Sequence, residues 1–396
     1  MLNILGVNVS TLKKKEILDK IKLFLADGKQ HHITTPNPEI ILEAQKDEEL
    51  FYILNQADLS IPDGIGLKFA AWAMGGDLER ITGADLAQDV LEMAKRQNLK
   101  VGVLNWEGGL SNKQDIENIL KNKYPGLKFI VEDAKRGSTP SQGVEPLNEA
   151  DILFCALGAP YQEKFIYHNL KNFPSVKVAI GVGGAFDFLT GKIKRAPKIM
   201  RVIGLEWLWR LFKQPQRIKR IYRAVIVFPL KFIKWCFINP FLYRPNVACI
   251  LFKKDGKGYK ILLAERRDDP GHWQLPQGGT DGEDLMTAGA RELREETDTD
   301  KFKSIASFPN LWKYKFAKNS SKSGVPNRLS TDYKGQKQGL FIAEFLGEDQ
   351  NITINFWDHR NWKWADADSL LEEVYPDRRS ATKVFLEKFK KLRITN

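Results

Sequence analysis

Asp151-Ile-Leu-Phe-Cys-Ala-Leu-Gly158 is followed, after one segment of helical period, by Val176-Lys-Val-Ala-Ile-Gly-Val-Gly-Gly184. Each is a short apolar run bounded by glycine or proline, the pattern of a strand buried on both faces. Toward the N-terminus the same pattern recurs in Lys100-Val-Gly-Val-Leu-Asn105 and Lys128-Phe-Ile-Val131. Helical periodicity marks Leu12–Leu25, Pro38–Leu54 and Ala84–Arg96, with Ser10 or Thr11 as the expected cap of the first. Strands that alternate with helices pair in parallel, so residues 1–190 are predicted to be an α/β domain built on a parallel sheet. Ligands of such sheets bind beyond the carboxyl ends of the strands. The turns Gly158-Ala-Pro160 and Gly181-Val-Gly-Gly-Ala185 fall there.

From Asn246 the pattern changes. Val247-Ala-Cys-Ile-Leu-Phe252 and Lys260-Ile-Leu-Leu-Ala-Glu-Arg266 flank a hairpin turn at Asp255-Gly-Lys-Gly258. A helix over Leu285–Thr297, a polar loop over Asn319–Asn327, further strands and a closing helix over Arg379–Leu392 complete an α+β domain. The organisation read from the sequence is therefore 1–194, 195–245 and 246–396.

The 396 residues carry a net charge of +12, and the excess is local. Residues 1–194 hold 23 Lys and Arg against 25 Asp and Glu, whereas residues 195–245 hold 12 against Glu206 alone. That segment is also apolar, as in Leu205-Glu-Trp-Leu-Trp-Arg-Leu-Phe212 and Ala224-Val-Ile-Val-Phe-Pro-Leu-Lys-Phe-Ile-Lys-Trp-Cys-Phe-Ile238. Cations interleaved with aromatic and aliphatic side chains suit an amphipathic helix on an anionic membrane surface. The apolar content is too high for a strip that tracks nucleic-acid phosphates. Pro229 interrupts a run already short of the ~20 residues of a membrane span. Three scattered cysteines and five histidines without ligand spacing exclude a disulfide framework and a Cys-based zinc site. With no secretory signal pattern at Met1, the expected location is cytoplasmic, peripheral on the inner face of the membrane.

The sharpest chemistry lies in Gly278-Gly-Thr-Asp-Gly-Glu-Asp-Leu-Met-Thr-Ala-Gly-Ala-Arg-Glu-Leu-Arg-Glu-Glu296. Glu292, Glu295 and Glu296 share one helix face at i, i+3, i+4 and repel one another unless a cation lies among them. Hard oxygens at that spacing suit Mg²⁺ or Mn²⁺ bridging a pyrophosphate. Arg291 is placed to pair with a carboxylate outside the cluster. The string resembles the Nudix box, with Glu283, Arg291, Glu292, Leu293, Glu295 and Glu296 on its fixed positions. The loop from Gly278 to Glu283 is one residue short, and Asp298 replaces the later glycine, a substitution an Asp tolerates in left-handed backbone. Trp273-Gln-Leu-Pro-Gln-Gly-Gly279, Tyr333-Lys-Gly-Gln-Lys-Gln-Gly-Leu-Phe341 and Asn361-Trp-Lys-Trp364 resemble the RNA pyrophosphohydrolase and diadenosine polyphosphate hydrolase branch. The resemblance implies Mg-dependent hydrolysis of a nucleoside diphosphate derivative, an RNA 5′ end among the candidates. Glu292, Glu295 and Glu296 would be the metal ligands, Glu292 and Glu295 the catalytic candidates, and Gly278 and Gly279 substrate contacts.

In the first domain Asp63 sits in a Pro–Gly turn from which a carboxylate can project into a cleft. Thr35-Pro-Asn37-Pro-Glu39, Ile61-Pro-Asp-Gly64, Glu79-Arg-Ile-Thr-Gly83, Leu157-Gly-Ala-Pro-Tyr-Gln-Glu163, Gly181-Val-Gly-Gly-Ala-Phe-Asp187 and Gly204-Leu-Glu-Trp-Leu-Trp-Arg210 follow in order. Together they resemble the WecG/TagA/CpsF glycosyltransferase family, with Tyr161 where that family commonly has Lys. The resemblance implies a Rossmann-like fold and inverting, metal-independent transfer of a ManNAc-type N-acetylhexosamine, with no cofactor. Its donor would be a UDP-sugar and its acceptor a polyprenyl-diphosphate-linked sugar. Asp63 matches the general base and Thr35 a substrate-positioning residue. Asn37, Gln162, Glu163, Gly183 and Gly184 match substrate-binding positions, and Arg210, Arg217 and Arg220 match tail arginines that neutralise diphosphate. The expected whole is a bifunctional enzyme, with self-association open. The alternative is an RNA 5′-pyrophosphohydrolase or nucleotide-housecleaning hydrolase whose first half only targets the membrane.

Overall fold

The computed structural model describes residues 1–136, 145–197, 199–200, 204–213, 215–256, 258–316 and 333–394. The chain divides into two compact units, Met1–Lys234 and Trp235–Asn396. The polar loop over Asn319–Asn327 lies outside the described residues.

In the first unit a small antiparallel pair, β1 (Leu2–Ile4) and β2 (Val7–Val9), precedes helix α1 (Lys14–Ala26). The expected Ser10 or Thr11 cap is displaced: the N-cap is Lys13, whose backbone N–H donates to Glu16 Oε2 at 2.7 Å, while Ser10 Oγ accepts from Leu12 N. Strand β3 (His31–Thr34) leads into α2 (Pro38–Ala44) and α3 (Glu48–Gln56). The single helix expected over Pro38–Leu54 is thus two. The Asp47 carboxylate caps α3 by accepting from Leu50 N, and such a local bond competes with helix continuation.

Strand β4 (Leu59–Ser60), α4 (Ile65–Ala73), α5 (Gly83–Arg96), β5 (Lys100–Trp106), α6 (Lys113–Lys123) and β6 (Lys128–Ala134) follow. Then come β7 (Ile152–Ala156), α7 (Tyr161–Asn169), β8 (Val178–Gly181) and α8 (Ala185–Leu189). Six strands form one sheet in the order β4-β3-β8-β7-β5-β6, every pair parallel. Successive side chains of a strand face opposite ways. Val103, Phe154 and Ile180 therefore pack on α1, α5 and α6, while Leu153, Cys155 and Ala179 pack against Phe165 and Ile166 of α7. Both faces of the central strands β5, β7 and β8 are covered, which is why they read as unbroken apolar runs. Helix α9 (Glu206–Lys213) and the helical stretch α10 (Ile218–Tyr222), Arg223–Val227 and α11 (Phe228–Ile233) end the unit. Among the described residues no helix is long and apolar enough to cross a membrane.

The second unit is built on a mixed sheet of β9 (Tyr243–Asp255), β10 (Gly258–Arg266), β11 (Trp273–Gln274), β12 (Gln277–Gly279), β13 (Phe302–Lys315), β14 (Gly335–Phe345) and β15 (His359–Asp366). The order is β11-β10-β9-β14-β13, with β12 on β9 and β15 on β10, and β9 pairs with β14 in parallel. Helix α12 (Leu285–Thr297) covers the face carrying Val247, Cys249, Leu251 and Phe341. After the short α13 (Leu370–Glu373), α14 (Pro376–Ile394) covers the other face through Phe385 and Phe389. Helix α12 ends in left-handed backbone at Asp298 (φ 46°), as the sequence leads one to expect.

Gly289 faces Phe341, and a Cβ there would overlap the ring. Helix α12 therefore reaches its seat only because this position is glycine. Gly289→Ala is expected to destabilise the second unit by about 1–3 kcal/mol, as overpacking does. The checking measurement is its unfolding transition in urea.

Candidate functional site

At the carboxyl edge of the parallel sheet the chain leaving β3 and the chain leaving β4 run on side by side. Ile61 N donates to Thr34 O at 2.8 Å and Asp63 N to Pro36 O at 2.8 Å. The second bond fixes Asp63, and its Oδ2 accepts from Gly83 N at 3.2 Å, at the N-terminus of the 14-residue α5. A helix N-terminus favours negative charge, so the carboxylate has a built-in partner. Thr35, buried, donates from Oγ1 to Gly181 O at 2.7 Å, tying β3's exit to the end of β8. A Cβ on Gly83 would stand 3.7 Å from Thr35 Oγ1. Asp63 and Thr35 therefore converge on one corner.

The Gln162–Glu163 pair sits one strand over. Gln162 Oε1 accepts from Gly183 N at 2.8 Å, and its Nε2 donates to Glu163 Oε1 at 2.8 Å. Glu163 itself has no exposed surface. It cannot touch substrate in this conformation and acts on the glycine turn through Gln162, a narrower part than the sequence pattern implies. Burial pushes its pKa up to about 7. Gly184 caps α8, and Asn37 caps α2 by accepting from Ile40 N at 3.0 Å. Arg220 makes two bonds to Glu39 Oε2, at 2.8 and 2.6 Å, and Arg223 pairs with Glu43 at 2.7 Å. The basic stretch is thereby brought onto α2, two residues beyond Asn37. Arg217 is half-buried at the start of α10, and the Arg210 side chain lies outside the described residues.

Arg136 escaped the sequence reading. Its guanidinium lies 3.5 Å from the Trp106 ring centroid and 5.3 Å from that of Tyr161, and its Nε donates to Leu157 O at 2.7 Å. Burial lowers its pKa, and the nearby charge of Arg220 pushes in the same direction. The available signal was its position two residues past the end of β6, on the ligand edge. Arg195 is also placed there, held by Asp85 and by Thr82 Oγ1 at 3.2 Å, with Asp63 and Glu206 adding to its charge stabilisation.

In the second unit the carboxylates do not gather around one point. Arg291 lies among them: Nε donates to Glu283 at 2.9 Å, and Nη1 to Glu292 at 2.8 Å and Glu295 at 2.9 Å. Its Nη2 donates to Gly279 O at 2.7 Å. Arg291 pairs inside the cluster as well as outside it, because its stem leaves the same helix face as Glu295. Burial works against its charge, but the bond to Glu283 and the charges of Glu292 and Glu295 win and raise its pKa. Glu296, buried, turns the other way and accepts from Gln277 N at 3.2 Å, with His359 Nε2 at 3.0 Å from its second oxygen. His359 is a buried partner that no spacing in the sequence advertised. Among the described residues no group of three His, Cys, Asp or Glu side chains is disposed to hold a metal ion. The donor set of Glu292 and Glu295 nevertheless fits a hard divalent cation, since both carboxylates already converge on one cationic nitrogen. Gly278 matters by what it lacks, because a Cβ there would occupy the space of the Glu292 carboxylate.

A parallel α/β unit with an acid, a hydroxyl and arginines at its ligand edge, joined to a mixed-sheet unit with a Glu-rich helix, defines a glycosyltransferase domain followed by a Nudix hydrolase domain. The chain belongs to the glycosyl transferase WecG/TagA/CpsF family, whose profile matches residues 2–240, and a NUDIX domain profile matches residues 242–385. It is 33% identical to the N-acetylglucosaminyldiphosphoundecaprenol N-acetyl-beta-D-mannosaminyltransferase of Bacillus subtilis (strain 168), over 48% of this chain and 74% of that protein. It is 38% identical to the RNA pyrophosphohydrolase of Wolbachia sp. subsp. Brugia malayi (strain TRS), over 37% of this chain and 89% of that one. Both halves are of enzyme families.

Two outcomes follow from these sites. Glu163 ionises near 4.5 when unfolded and near 7 when folded. Its contribution to stability is therefore complete below the lower value and is lost as pH rises through the higher, a span of roughly 3 kcal/mol. Glu163→Gln is expected to shrink the fall in Tm between about pH 5 and about pH 8, measured by calorimetry. Gly278→Ala is expected to abolish hydrolysis by displacing the Glu292 carboxylate while leaving transfer untouched, which parallel assays of the two reactions check.

Proposed function

We propose that the chain is a bifunctional enzyme. Its first unit transfers a ManNAc-type N-acetylhexosamine from a UDP-sugar to a polyprenyl-diphosphate-linked sugar, in the synthesis of a cell-surface polysaccharide. Its second unit hydrolyses a diphosphate bond in a nucleotide. The observation that carries the transferase reading is the meeting of Asp63 and Thr35 at the N-terminus of α5, on the edge where α/β sheets bind ligands.

Asp63 takes the proton of the acceptor hydroxyl, and that oxygen attacks the anomeric carbon in line as the bond to UDP breaks, inverting the centre. Thr35 holds the β3 exit in register with β8, and Gln162 holds the glycine turn where the donor lies. The departing diphosphate takes up charge that Arg210, Arg217 and Arg220 offset, with Arg136 available from the β6 side. Such a cationic site supports transfer without a metal. Arg220 already reaches Glu39 beside the Thr35-Pro-Asn37 corner, so the tail would close over the donor by exchanging that carboxylate for a phosphate.

For the second unit, Glu292 and Glu295 would hold Mg²⁺ or Mn²⁺, with Glu296 joining them by leaving Gln277 and His359, and the ion would supply Lewis-acid polarisation of a diphosphate and of water. Arg291 positions Glu292 and Glu295 in its absence, and His359 and Gln277 hold Glu296. The similarity to an RNA pyrophosphohydrolase favours a 5′-phosphorylated RNA or a nucleotide as substrate. Residues 195–245 face an anionic membrane, the place of a lipid-linked acceptor. Tyr222, Ile226, Leu230 and Ile233 are exposed along the helical stretch, with Lys219, Lys231 and Lys234 beside them.

The two reactions should separate. Asp63→Asn is expected to cut transfer by about 10²–10⁴-fold and to spare hydrolysis. Glu295→Gln is expected to do the reverse, and EDTA should stop hydrolysis alone. Assays of release of UDP and of phosphate with and without Mg²⁺ decide this. Transfer that stops with EDTA would refute the metal-independent half. Arg217→Glu with Arg220→Glu should depress transfer more than vesicle binding, since other cations of the segment remain.

A further inference from the structure

Helix α4 begins two residues after Asp63 and reads Ile65-Gly-Leu-Lys-Phe-Ala-Ala-Trp-Ala73. It buries Leu67, Ala70 and Ala71, at i, i+3 and i+4, which turns Lys68, Phe69 and Trp72 outward. Phe69 is 60% exposed and Trp72 77%. One such residue is ordinary on a protein surface, and two on one turn of a helix with a large apolar neighbour are not. The neighbour is α11, which packs on α4 and buries Phe228 and Phe232 while leaving Leu230 63% and Ile233 47% exposed. A Cβ on Gly66 would lie 3.6 Å from the Phe228 ring, so the two helices meet closely at that glycine.

We infer that α4 is a second membrane-inserting element. In this arrangement Phe69 and Trp72 enter an anionic lipid leaflet beside the apolar stripe of α11. The inference rests on the reading of residues 195–245 as membrane-facing and adds to it a surface from the body of the domain. Charge selects the occupant. Lys68 of α4 and Lys231 of α11 are exposed, as is Lys234 just past α11. The carboxylates of the adjoining α2, Glu39 and Glu43, are engaged by Arg220 and Arg223, and Asp77 beyond α4 by Lys13. An apolar patch ringed by cations fits phospholipid headgroups of negative charge, each lysine adding about 1 kcal/mol near such a surface. Tryptophan belongs at that interface, with its ring in the acyl boundary. The consequence is geometric. At ~1.5 Å per residue, no more than about 10 Å of helix separates Trp72 from the α4 N-terminus beside Asp63. That is the depth over which an interfacial helix buries its apolar face. Seating α4 in the leaflet thus holds the proposed base at the level where the sugar of a lipid diphosphate lies.

The test uses the full chain with phosphatidylglycerol-containing and pure phosphatidylcholine vesicles, some carrying brominated acyl chains. Trp72→Phe should still float with anionic vesicles but lose a measurable part of the bromolipid quenching seen in the parent. Phe69→Ser with Trp72→Ser should weaken flotation at least about tenfold while transfer to a water-soluble acceptor persists. If quenching is the same in Trp72→Phe and the double variant floats like the parent, α4 does not insert, and the basic segment alone binds lipid. If the parent does not float at all, the membrane reading falls together with the inference. Self-association in sedimentation that the double variant abolishes, with flotation unchanged, would assign the patch to a second copy instead and overturn the proposal.

Discussion

Where a parallel sheet ends, the ladder that pairs its backbone stops, and the groups beyond it must be satisfied one at a time. In this chain that constraint builds the transferase corner. Thr35 Oγ1 takes up the Gly181 carbonyl, Pro36 O receives Asp63 N, and Gly83 N finds the Asp63 carboxylate. Each bond satisfies a buried or half-buried group, and each also fixes a residue with chemistry. A hydroxyl and an acid are thus positioned by the same bonds that close the sheet's edge, so the site needs little further scaffolding. Glu163 continues the logic inward. Its carboxyl accepts from Gln162, Gln162 accepts from Gly183, and a fully buried acid thereby sets the shape of an exposed turn.

The second unit meets the opposite problem. Three carboxylates on one helix repel, and the fold offsets this by pairing two of them with one guanidinium and turning the third away. Arg291 spans Glu283, Glu292 and Glu295, whereas Glu296 turns to Gln277 and His359. The helix bearing them is pressed onto the sheet at Gly289, and Gly278 leaves the Glu292 carboxylate its space. Two glycines spaced along one motif therefore do the work of bringing a charged helix close to a strand. A backbone N–H and a guanidinium offset charge that a metal would otherwise have to.

Sequence patterns revealed the strands best where both faces are buried. The runs at Lys100, Lys128, Asp151 and Val176 are all parallel strands; double burial leaves an unbroken apolar signature in three of them, whereas edge strand β6 at Lys128 is only partly buried. Helix α12 was legible to the residue, since its cap at Asp284 and its left-handed stop at Asp298 are both written locally. Strand β3 was not legible, as His31-His-Ile-Thr34 has no apolar run, and its burial is decided by β4 and β8 on either side. The break between α2 and α3 hid inside a continuous helical period, because a capping Asp looks like any polar residue until its bond to Leu50 N is formed. Likewise Arg136 and His359 meet their partners only across the fold, with Trp106 thirty residues away and Glu296 more than sixty. No local rule reaches that far.

In the proposed reactions the two halves would handle one functional group, the diphosphate, by opposite electrostatics. At the first site the chain supplies the cations itself: Arg220 is parked on Glu39, and Arg136 is stacked on Trp106. A guanidinium held on one carboxylate oxygen by two bonds is pre-oriented yet exchangeable, because a phosphate offers more acceptor oxygens and more charge. At the second site the chain supplies anions and engages them with Arg291, so an incoming cation must displace an arginine rather than water. Each site is thus closed by an internal ion pair that mimics its absent partner. At the first, a carboxylate stands in for phosphate, and at the second, a guanidinium stands in for metal. Such pairs hold the side chains close to working geometry, and desolvating them again costs less than ordering free ones. The same chain can keep a cationic and an anionic site because their charges lie on separate folded units, each neutralised from within.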